Sequence, residues 1–150
     1  MQVVSEWGLS GAQAMMDQAD VFIVVDVLSF STCIDVACAN GATVFPFPID
    51  DRTASENEAI RLSAELAGKR SDKRSKYSLS APTLQSIPAG VRLVLPSPNG
   101  SHISFAVKEK IVIAGCLRNA SAVAMAAKNA RIVWALLMNQ TEFKTQPVEG

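Results

Sequence analysis

A lone carboxylate near the end of an apolar run is the residue of this sequence with the clearest chemical potential. Residues 21–27 are continuously apolar except for Asp26, and such a run is typical of a strand that is buried on both faces in a parallel sheet. A carboxylate at this position is costly to bury without a partner. Because ligands of open α/β sheets bind beyond the carboxyl ends of the strands, Asp26 is either a structural cap or a functional carboxylate.

Three loops that follow predicted strands and lead into predicted helices are rich in small hydroxyl and amide residues. The candidate residues of these loops are Ser29, Ser31 and Thr32 after Asp26; Ser97, Asn99, Gly100, Ser101 and His102 in a second loop; and Arg118, Asn119 and Ser121 in a third. A helix N-terminus offers free N–H groups and a partial positive charge, so it favours anions. Arg118 would add a guanidinium that suits phosphate or sulfonate. The same residue types also cap helices and form turns, so a structural and a functional interpretation are both open.

Standard catalytic motifs are missing from the sequence. It contains no Gly-rich dinucleotide fingerprint, no phosphate loop, no nucleophile elbow and no Cys/His cluster with zinc spacing. A haloacid-type phosphatase would need a second Asp two residues after Asp26, where this chain has Leu28. His102 is the sole histidine, and it fits a turn or surface position as well as it fits a catalytic base.

A basic run extends over residues 69–76 and contains five cations and one acid. Such a run is either a solvated loop or a mobile arm that attracts an anionic substrate. Tyr77 is its one neighbouring aromatic residue, so the run does not predict nucleic-acid binding.

The composition predicts one globular domain. The chain has 150 residues, is 49% apolar and carries no net formal charge, which gives no overall attraction to nucleic acid or membranes. No apolar run reaches the ~20 residues of a membrane helix, and the N-terminus is not that of a signal peptide. The three cysteines lie in apolar surroundings, which indicates buried thiols in a reducing compartment, the cytoplasm.

Apolar periodicity predicts alternating strands and helices. The predicted strands are residues 21–27, 43–47, 92–95, 111–114 and 132–137, and the predicted helices are residues 31–39, 55–68, a segment around 103–107 and one from Asn119 through 127. Pro46 and Pro48 favour an edge position for the second strand. This order predicts an α/β fold, a three-layer α/β/α sandwich with a largely parallel sheet, over residues 1–138, followed by a polar tail. The polar residues 69–90 are expected to form a long irregular loop of the kind that binds or covers a ligand.

Four sequence blocks together resemble the 2-phosphosulfolactate phosphatase (ComB-like) family. The blocks are Val-Val-Asp-Val-Leu-Ser-Phe-Ser-Thr at 24–32, Ala-x-Ala-Asn-Gly-Ala at 37–42, Leu-Pro-Ser-Pro-Asn-Gly-Ser at 95–101 and Ala-Gly-Cys-Leu-Arg-Asn-Ala-Ser-Ala-Val at 114–123. Their order and spacing agree with the family over roughly residues 21–133. The resemblance implies a Mg²⁺-dependent acid phosphatase of coenzyme M biosynthesis with a three-layer α/β/α fold. Its partner would be a small anionic phosphoester, with no nucleic acid and no membrane involved.

The resemblance also implies roles for individual residues. Asp26, Asn99 and Arg118 would be catalytic, and Asp26 would bind Mg²⁺. The implied substrate-binding residues are Ser29, Ser31, Thr32, Arg70, Ser97, Gly100, Ser101, Asn119 and Ser121.

The chain departs from the family pattern at several points. Ser29 stands where the family commonly has Arg, and Lys69 stands where an Ala-Gly-Glu-Arg element has its carboxylate. Family members are also longer, which indicates a divergent or C-terminally truncated member. Missing sheet partners would expose apolar edges and encourage a homo-oligomer.

Three functions are therefore open from the sequence. One is hydrolysis of 2-phosphosulfolactate. Another is a non-catalytic anion-binding or assembly module that has lost the acidic group that Lys69 replaces. The third is a phosphatase that acts on another small phosphorylated acid. This possibility is open because Ser29 replaces an Arg that the family commonly has.

Overall fold

The chain folds into alternating helices and strands. The computed structural model describes residues 2–71 and 75–139, with the backbone alone for residues 131–139. The elements of this part of the chain are α1 (Gly8–Ala14), β1 (Val21–Val25), α2 (Phe30–Ala39), β2 (Thr43–Pro48), α3 (Arg52–Arg61), β3 (Glu65–Leu66), a 3₁₀ turn (Ala81–Leu84), β4 (Arg92–Ser97), α4 (Gly100–Ala106), β5 (Ile111–Gly115) and α5 (Ala120–Asn139). The predicted α/β class is confirmed.

All strand pairs among these elements are parallel. β1 pairs with β5, with Val24 opposite Ala114. β4 lies between β2 and β3 in a second sheet. The largely parallel arrangement is thus confirmed, although the described strands form two hydrogen-bonded sheets rather than one. β2 lies at an edge of its sheet, as Pro46 and Pro48 predict.

The core is built around β4. Leu93, Val94 and Leu95 are completely buried, because the strand is central in its sheet and covered on both faces. Phe30 of α2 and Leu84 of the 3₁₀ turn belong to the same apolar cluster as Leu93 and Leu95.

Helices lie on both faces of the β1–β5 pair, although Ile23 and Val25 on one face stay exposed. Successive side chains of a strand point to opposite faces. Val24 enters the core cluster that contains α2 residues. Ile23 and Val25 lie on the other face, next to Gly115 and close to Val123 of α5. This arrangement is what the predicted sandwich requires.

The predicted helix over residues 55–68 differs from the structure at both ends. Its N-cap is Asp51, whose Oδ1 accepts a 3.1 Å hydrogen bond from the Ala54 N–H, rather than Ser55. The helix ends at Arg61, and the chain reverses through Ser63 at φ 49° before β3 pairs with β4. Strand pairing with a buried partner outcompetes the helical spacing of the apolar residues up to Gly68.

The predicted strand at residues 132–137 is wrong, because these residues continue α5 to Asn139. The segment contains no Gly or Pro, and its Ala, Leu and Met residues have high helix propensity. A short apolar run of this kind does not distinguish a helix from a strand by its periodicity. Helix α1 was not predicted from the sequence.

The predicted irregular loop at residues 69–90 is mostly irregular but well packed. Tyr77, Leu84 and Ile87 are buried, and Gly68 pairs with Ser78 in an isolated bridge. Residues 72–74 of the basic run and residues 140–150 of the predicted tail lie outside the described residues. No helix of the described chain is long and apolar enough to cross a bilayer.

The start of α4 depends on a close contact between Gly100 and Phe30. A Cβ added at Gly100 would lie 2.0 Å from Cδ1 of Phe30, which is completely buried. We therefore expect Gly100→Ala to lower the free energy of unfolding by about 1–3 kcal/mol through overpacking. Urea denaturation with a constant m-value would measure this loss.

The matched control is Gly90→Ala. Gly90 has φ +82° and no atom within 4 Å of an added Cβ, so its substitution introduces backbone strain without overpacking. A Gly100→Ala protein as stable as the parent would contradict the packing of Phe30 against this glycine.

Candidate functional site

Asp26 links the end of β1 to the start of α4. Its Oδ2 accepts a 3.1 Å hydrogen bond from the Gly100 N–H. Its backbone N–H donates to Ser31 Oγ at 3.0 Å, and its carbonyl accepts from the Ser31 N–H at 2.8 Å. The carboxylate is therefore held across the gap between two strand ends, and its Oδ1 has no hydrogen-bond donor in the described part of the chain.

Arg70 lies beside the start of α2. Its Nη2 donates to Ser29 Oγ at 2.8 Å, and its Nε donates to the Leu79 carbonyl at 3.3 Å. The Ser29 hydroxyl donates to the same carbonyl at 2.8 Å. The Arg70 guanidinium thus contacts Ser29, which lies 41 residues before it in the chain and three residues after Asp26.

A cleft of about 430 Å³ lies at the carboxyl ends of the second sheet, with Arg70 in its wall. Its lining residues are Ile49, Lys69, Arg70, Ser71, Leu79 and Pro96. Two cations among small polar and apolar side chains suit a small anion. A larger cleft of about 760 Å³ lies by the amino ends of β3 and β4 and contains none of the predicted site residues, so we do not assign it to the site.

Three predicted site residues close the strand-to-helix turns. Ser31 Oγ donates to the Val24 carbonyl at 2.7 Å, and Ser101 Oγ donates to the Leu95 carbonyl at 2.8 Å. Asn119 Nδ2 donates to the Ala114 carbonyl at 3.1 Å. Each side chain thus satisfies a carbonyl near the end of a strand, which is a structural role.

Two further predicted hydroxyls are also engaged with the backbone. Thr32 Oγ1 donates to the Val27 carbonyl at 2.8 Å, and Ser97 Oγ accepts from the Asn99 N–H at 3.3 Å. Ser97 is almost completely buried. Asn99 itself is exposed, and its side chain forms no hydrogen bond in the described residues.

The third loop is held to α2 rather than to the cleft. Arg118 Nε donates to Asp35 Oδ2 at 2.8 Å, and this hydrogen bond raises the pKa of the Arg118 guanidinium. Asn119 Oδ1 accepts from the Cys116 N–H at 2.8 Å. Ser121 is exposed near the start of α5. Arg118, Asn119 and Ser121 do not line the 430 Å³ cleft.

Cys33 lies buried beneath Asp26 and Ser29. Burial raises the pKa of its thiol, while the Ser29 hydroxyl and the Arg70 charge lower it and the Asp26 charge raises it. A thiol whose pKa is raised stays protonated near neutral pH and is a weak nucleophile. The site therefore contains no activated cysteine at this position.

The oxygen ligands at the site fit Mg²⁺ only in part. The described residues contain no group of three or more His, Cys, Asp or Glu side chains that converge on one point. Asp26 Oδ1 is one hard oxygen ligand, and Mg²⁺ typically takes one or two carboxylates together with water and substrate phosphate oxygens. Asp26 Oδ1 would therefore supply one ligand of such an ion.

The sequence did not predict several residues that line the cleft. The basic run pointed to Lys69, and Ser71 lies in the same run. Ile49, Leu79 and Pro96 gave no chemical signal, because ordinary apolar side chains acquire a role only through the positions that the fold gives them.

A family model described as 2-phosphosulpholactate phosphatase matches residues 10–144, which is most of the chain. No curated protein and no solved structure matches the chain significantly.

Asn119 provides a test of structural against ligand-binding roles. We expect Asn119→Ala to lower the free energy of unfolding by about 1 kcal/mol, because two backbone groups lose their partner. Thermal and urea denaturation would measure the loss, and the exposed Ser121→Ala serves as the control with little change. An Asn119→Ala protein that keeps its stability but loses affinity for inorganic phosphate would instead make Asn119 a ligand contact.

Proposed function

The chain belongs to the 2-phosphosulpholactate phosphatase family, and from this premise we propose that it hydrolyses the phosphate monoester of a small sulfonated or carboxylated acid. The favoured substrate is 2-phosphosulfolactate, and the products are sulfolactate and phosphate. The family name supports phosphoric monoester hydrolysis as the class of reaction. The observation that carries the proposal is the Asp26 carboxylate, which accepts the Gly100 N–H just after β1. Three residues further on, Ser29 accepts from Arg70, which lines a cleft together with Lys69.

Mg²⁺ is part of this proposal. Asp26 Oδ1 would hold the ion together with oxygens of the substrate phosphate. When bound, Mg²⁺ supplies positive charge that offsets the charge of the phosphoryl group and of the departing alkoxide. The Gly100 N–H fixes the direction of the Asp26 carboxylate, so little reorganisation is needed on binding.

Arg70 and Lys69 would bind the anionic groups of the substrate. The Leu79 carbonyl and the Ser29 hydroxyl hold two arms of the Arg70 guanidinium and leave Nη1 without a hydrogen bond in the described residues. Lys69 lines the same cleft and is exposed. Sulfonate and carboxylate oxygens are suitable acceptors for both cations. Asn99, whose exposed side chain precedes Gly100, would orient a phosphate oxygen.

Arg70 also contacts the position at which the family resemblance places a further Arg. Ser29 occupies a position at which the family commonly has Arg, and the Arg70 guanidinium donates directly to the Ser29 hydroxyl. A cation is thereby present at the start of α2 even though residue 29 carries none. This contact supports a substrate with an anionic group at that point.

A binding module without turnover is the second candidate. Its support is the charge balance of the site, in which Lys69 and Arg70 line the cleft and Asp26 is the nearby carboxylate. Such a site would bind phosphate or sulfonate but would hold a metal ion weakly. The exposed Leu28 and Leu117, which follow β1 and β5, would favour the homo-oligomer that the sequence predicts.

Asp26→Asn tests the catalytic proposal. The Asn side-chain oxygen can still accept the Gly100 N–H, so we expect the fold to persist. Turnover of 2-phosphosulfolactate in the presence of Mg²⁺ should fall by about 100-fold or more, because the charged oxygen that faces the phosphate is lost. Release of inorganic phosphate measures the rate, and circular dichroism checks the fold.

Asp51→Asn is the matched control, because Asp51 caps α3 and should leave turnover within about twofold of the parent. Unchanged turnover in Asp26→Asn would remove Asp26 from the mechanism. A parent protein that binds phosphosulfolactate without turning it over would support the binding module, and an absence of both would contradict both functions.

Arg70→Ala tests the role of the cleft cation. We expect KM for 2-phosphosulfolactate to rise about tenfold, because a charged hydrogen bond to the substrate is lost, while kcat changes little. Arg61→Ala is the control, since Arg61 pairs with Glu58 on α3 and does not line the cleft. Equal KM values for the parent and Arg70→Ala would place substrate binding outside this cleft.

A further inference from the structure

The Ser29 hydroxyl is directed at Arg70 rather than at the cleft. It donates to the Leu79 carbonyl at 2.8 Å and accepts from Arg70 Nη2 at 2.8 Å. A hydroxyl has a single proton, so the bond to Leu79 leaves its lone pairs for the guanidinium. Ser29 is not among the residues that line the 430 Å³ cleft, whereas Arg70 is. Ser29 can therefore act on the cleft through Arg70.

The two acceptors of Arg70 belong to well-anchored parts of the chain. The Leu79 N–H donates to the Gly68 carbonyl at 3.2 Å, and the Gly68 N–H donates to the carbonyl of the buried Tyr77 at 2.9 Å. The Ser29 carbonyl accepts from the N–H of the buried Cys33 at 2.8 Å, in the first turn of α2. The Ser29 side chain itself forms no capping bond to α2. Its hydroxyl is thus not required by the helix.

Both bonds use the same edge of the Arg70 guanidinium. Nε donates to the Leu79 carbonyl at 3.3 Å, and Nη2 donates to Ser29 Oγ. A guanidinium has five N–H groups in one plane and is always charged, so the edge formed by Nη1 and Nη2 still has donors. These donors have no acceptor in the described residues. Two parallel N–H groups of this kind match two oxygens of a carboxylate or a sulfonate.

We propose that Ser29 is a positioning residue that fixes the Arg70 guanidinium, so that its second edge receives a carboxylate or sulfonate of the substrate. This inference rests on the proposed function only in taking the cleft as the anion site. Arg70 is exposed and has a long side chain, which loses rotamer freedom when it binds a ligand. The two acceptors impose part of that loss before the ligand arrives. Ser29 therefore contributes to affinity without touching the ligand.

Sulfolactate binding provides the test, because sulfolactate carries a sulfonate and a carboxylate but no phosphate, and its affinity is measured without turnover. Calorimetry would compare the parent with Ser29→Ala, Ser29→Thr and Ser29→Val. We expect Ser29→Ala and Ser29→Val to weaken binding about fivefold, since the hydroxyl acceptor is lost. Ser29→Thr keeps the hydroxyl and should bind within about twofold of the parent.

The Thr and Val variants have nearly the same shape, so their difference isolates the hydroxyl even if Ser29→Ala failed to fold. The Leu79 carbonyl keeps the Arg70 Nε as a donor in all these variants. Equal affinities of Ser29→Thr and Ser29→Val would overturn the inference.

A double-mutant cycle separates positioning from a merely structural role. Arg70→Ala alone should weaken sulfolactate binding about tenfold, and adding Ser29→Val to it should change the affinity by less than about twofold. The hydroxyl has nothing left to position once the guanidinium is gone. A structural serine would instead lower the affinity by the same factor in both backgrounds, and that result would contradict a positioning role.

Ser55→Ala is the matched control. The Ser55 hydroxyl donates to the Asp51 carbonyl at 3.0 Å, and this carbonyl keeps the Ser55 N–H as a second donor at 3.1 Å. The variant therefore also loses one hydroxyl without leaving a carbonyl unpaired, but it lies on α3 and does not contact Arg70. Its affinity for sulfolactate should stay within about twofold of the parent. A loss as large as that of Ser29→Ala would show that Arg70 is not the route of the effect and would overturn the inference.

The outcomes distinguish this inference from the proposed function. Sulfolactate binding that depends on Ser29 through Arg70, in a protein without turnover of 2-phosphosulfolactate, would support the inference and contradict the catalytic proposal. Turnover with sulfolactate binding indifferent to Ser29 would do the reverse. A parent protein that binds no sulfolactate would overturn the inference, while release of inorganic phosphate by the same protein would decide the catalytic proposal separately.

Discussion

The hydrogen bond between the Asp26 carboxylate and the Gly100 N–H joins the two sheets of this fold. β1 belongs to one sheet and β4 to the other, and no backbone ladder connects them in the described residues. The side chain at the end of β1 therefore reaches the helix that follows β4. This approach requires a residue without a side chain at position 100, because Phe30 fills the adjacent space. The loops after β1 and β4 consequently meet at a fixed geometry, and the candidate site lies at their junction.

Polar side chains in the first turns of the helices complete this junction. A strand that passes into a helix leaves carbonyl groups without a partner, and Ser31, Ser101 and Asn119 each donate to one of them. The same device recurs after β1, β4 and β5. It explains why hydroxyl and amide residues collect at one edge of a parallel sheet even where they do not contact a ligand. Their presence is a consequence of the topology, whereas Asp26, Arg70 and Lys69 carry the charges that the topology does not require.

The sequence predicted those features of the fold that depend on residues close together in the chain. The continuous apolar runs predicted β1, β4 and β5. Burial on both faces, which such runs also predict, is found for β4 but not for β1 and β5, where Ile23, Val25 and Ile111 are exposed. Asp26 stood out because a carboxylate interrupts such a run. The contact between Arg70 and Ser29 joins residues 41 positions apart, and no periodicity records it. The end of α3 and the extension of α5 were missed for a related reason, since pairing with β4 decided the first and a short apolar run fits either element in the second.

Charge balance at the carboxyl ends of the strands connects the fold to the proposed chemistry. Asp26 carries one negative charge, and the adjacent cleft carries the positive charges of Lys69 and Arg70. The two cations attract a multiply charged anion before any metal ion is added. In the proposed reaction, a metal ion held by Asp26 and the phosphate would therefore contribute mainly to the stabilisation of charge during bond cleavage, while the cations of the chain would supply the affinity for the substrate.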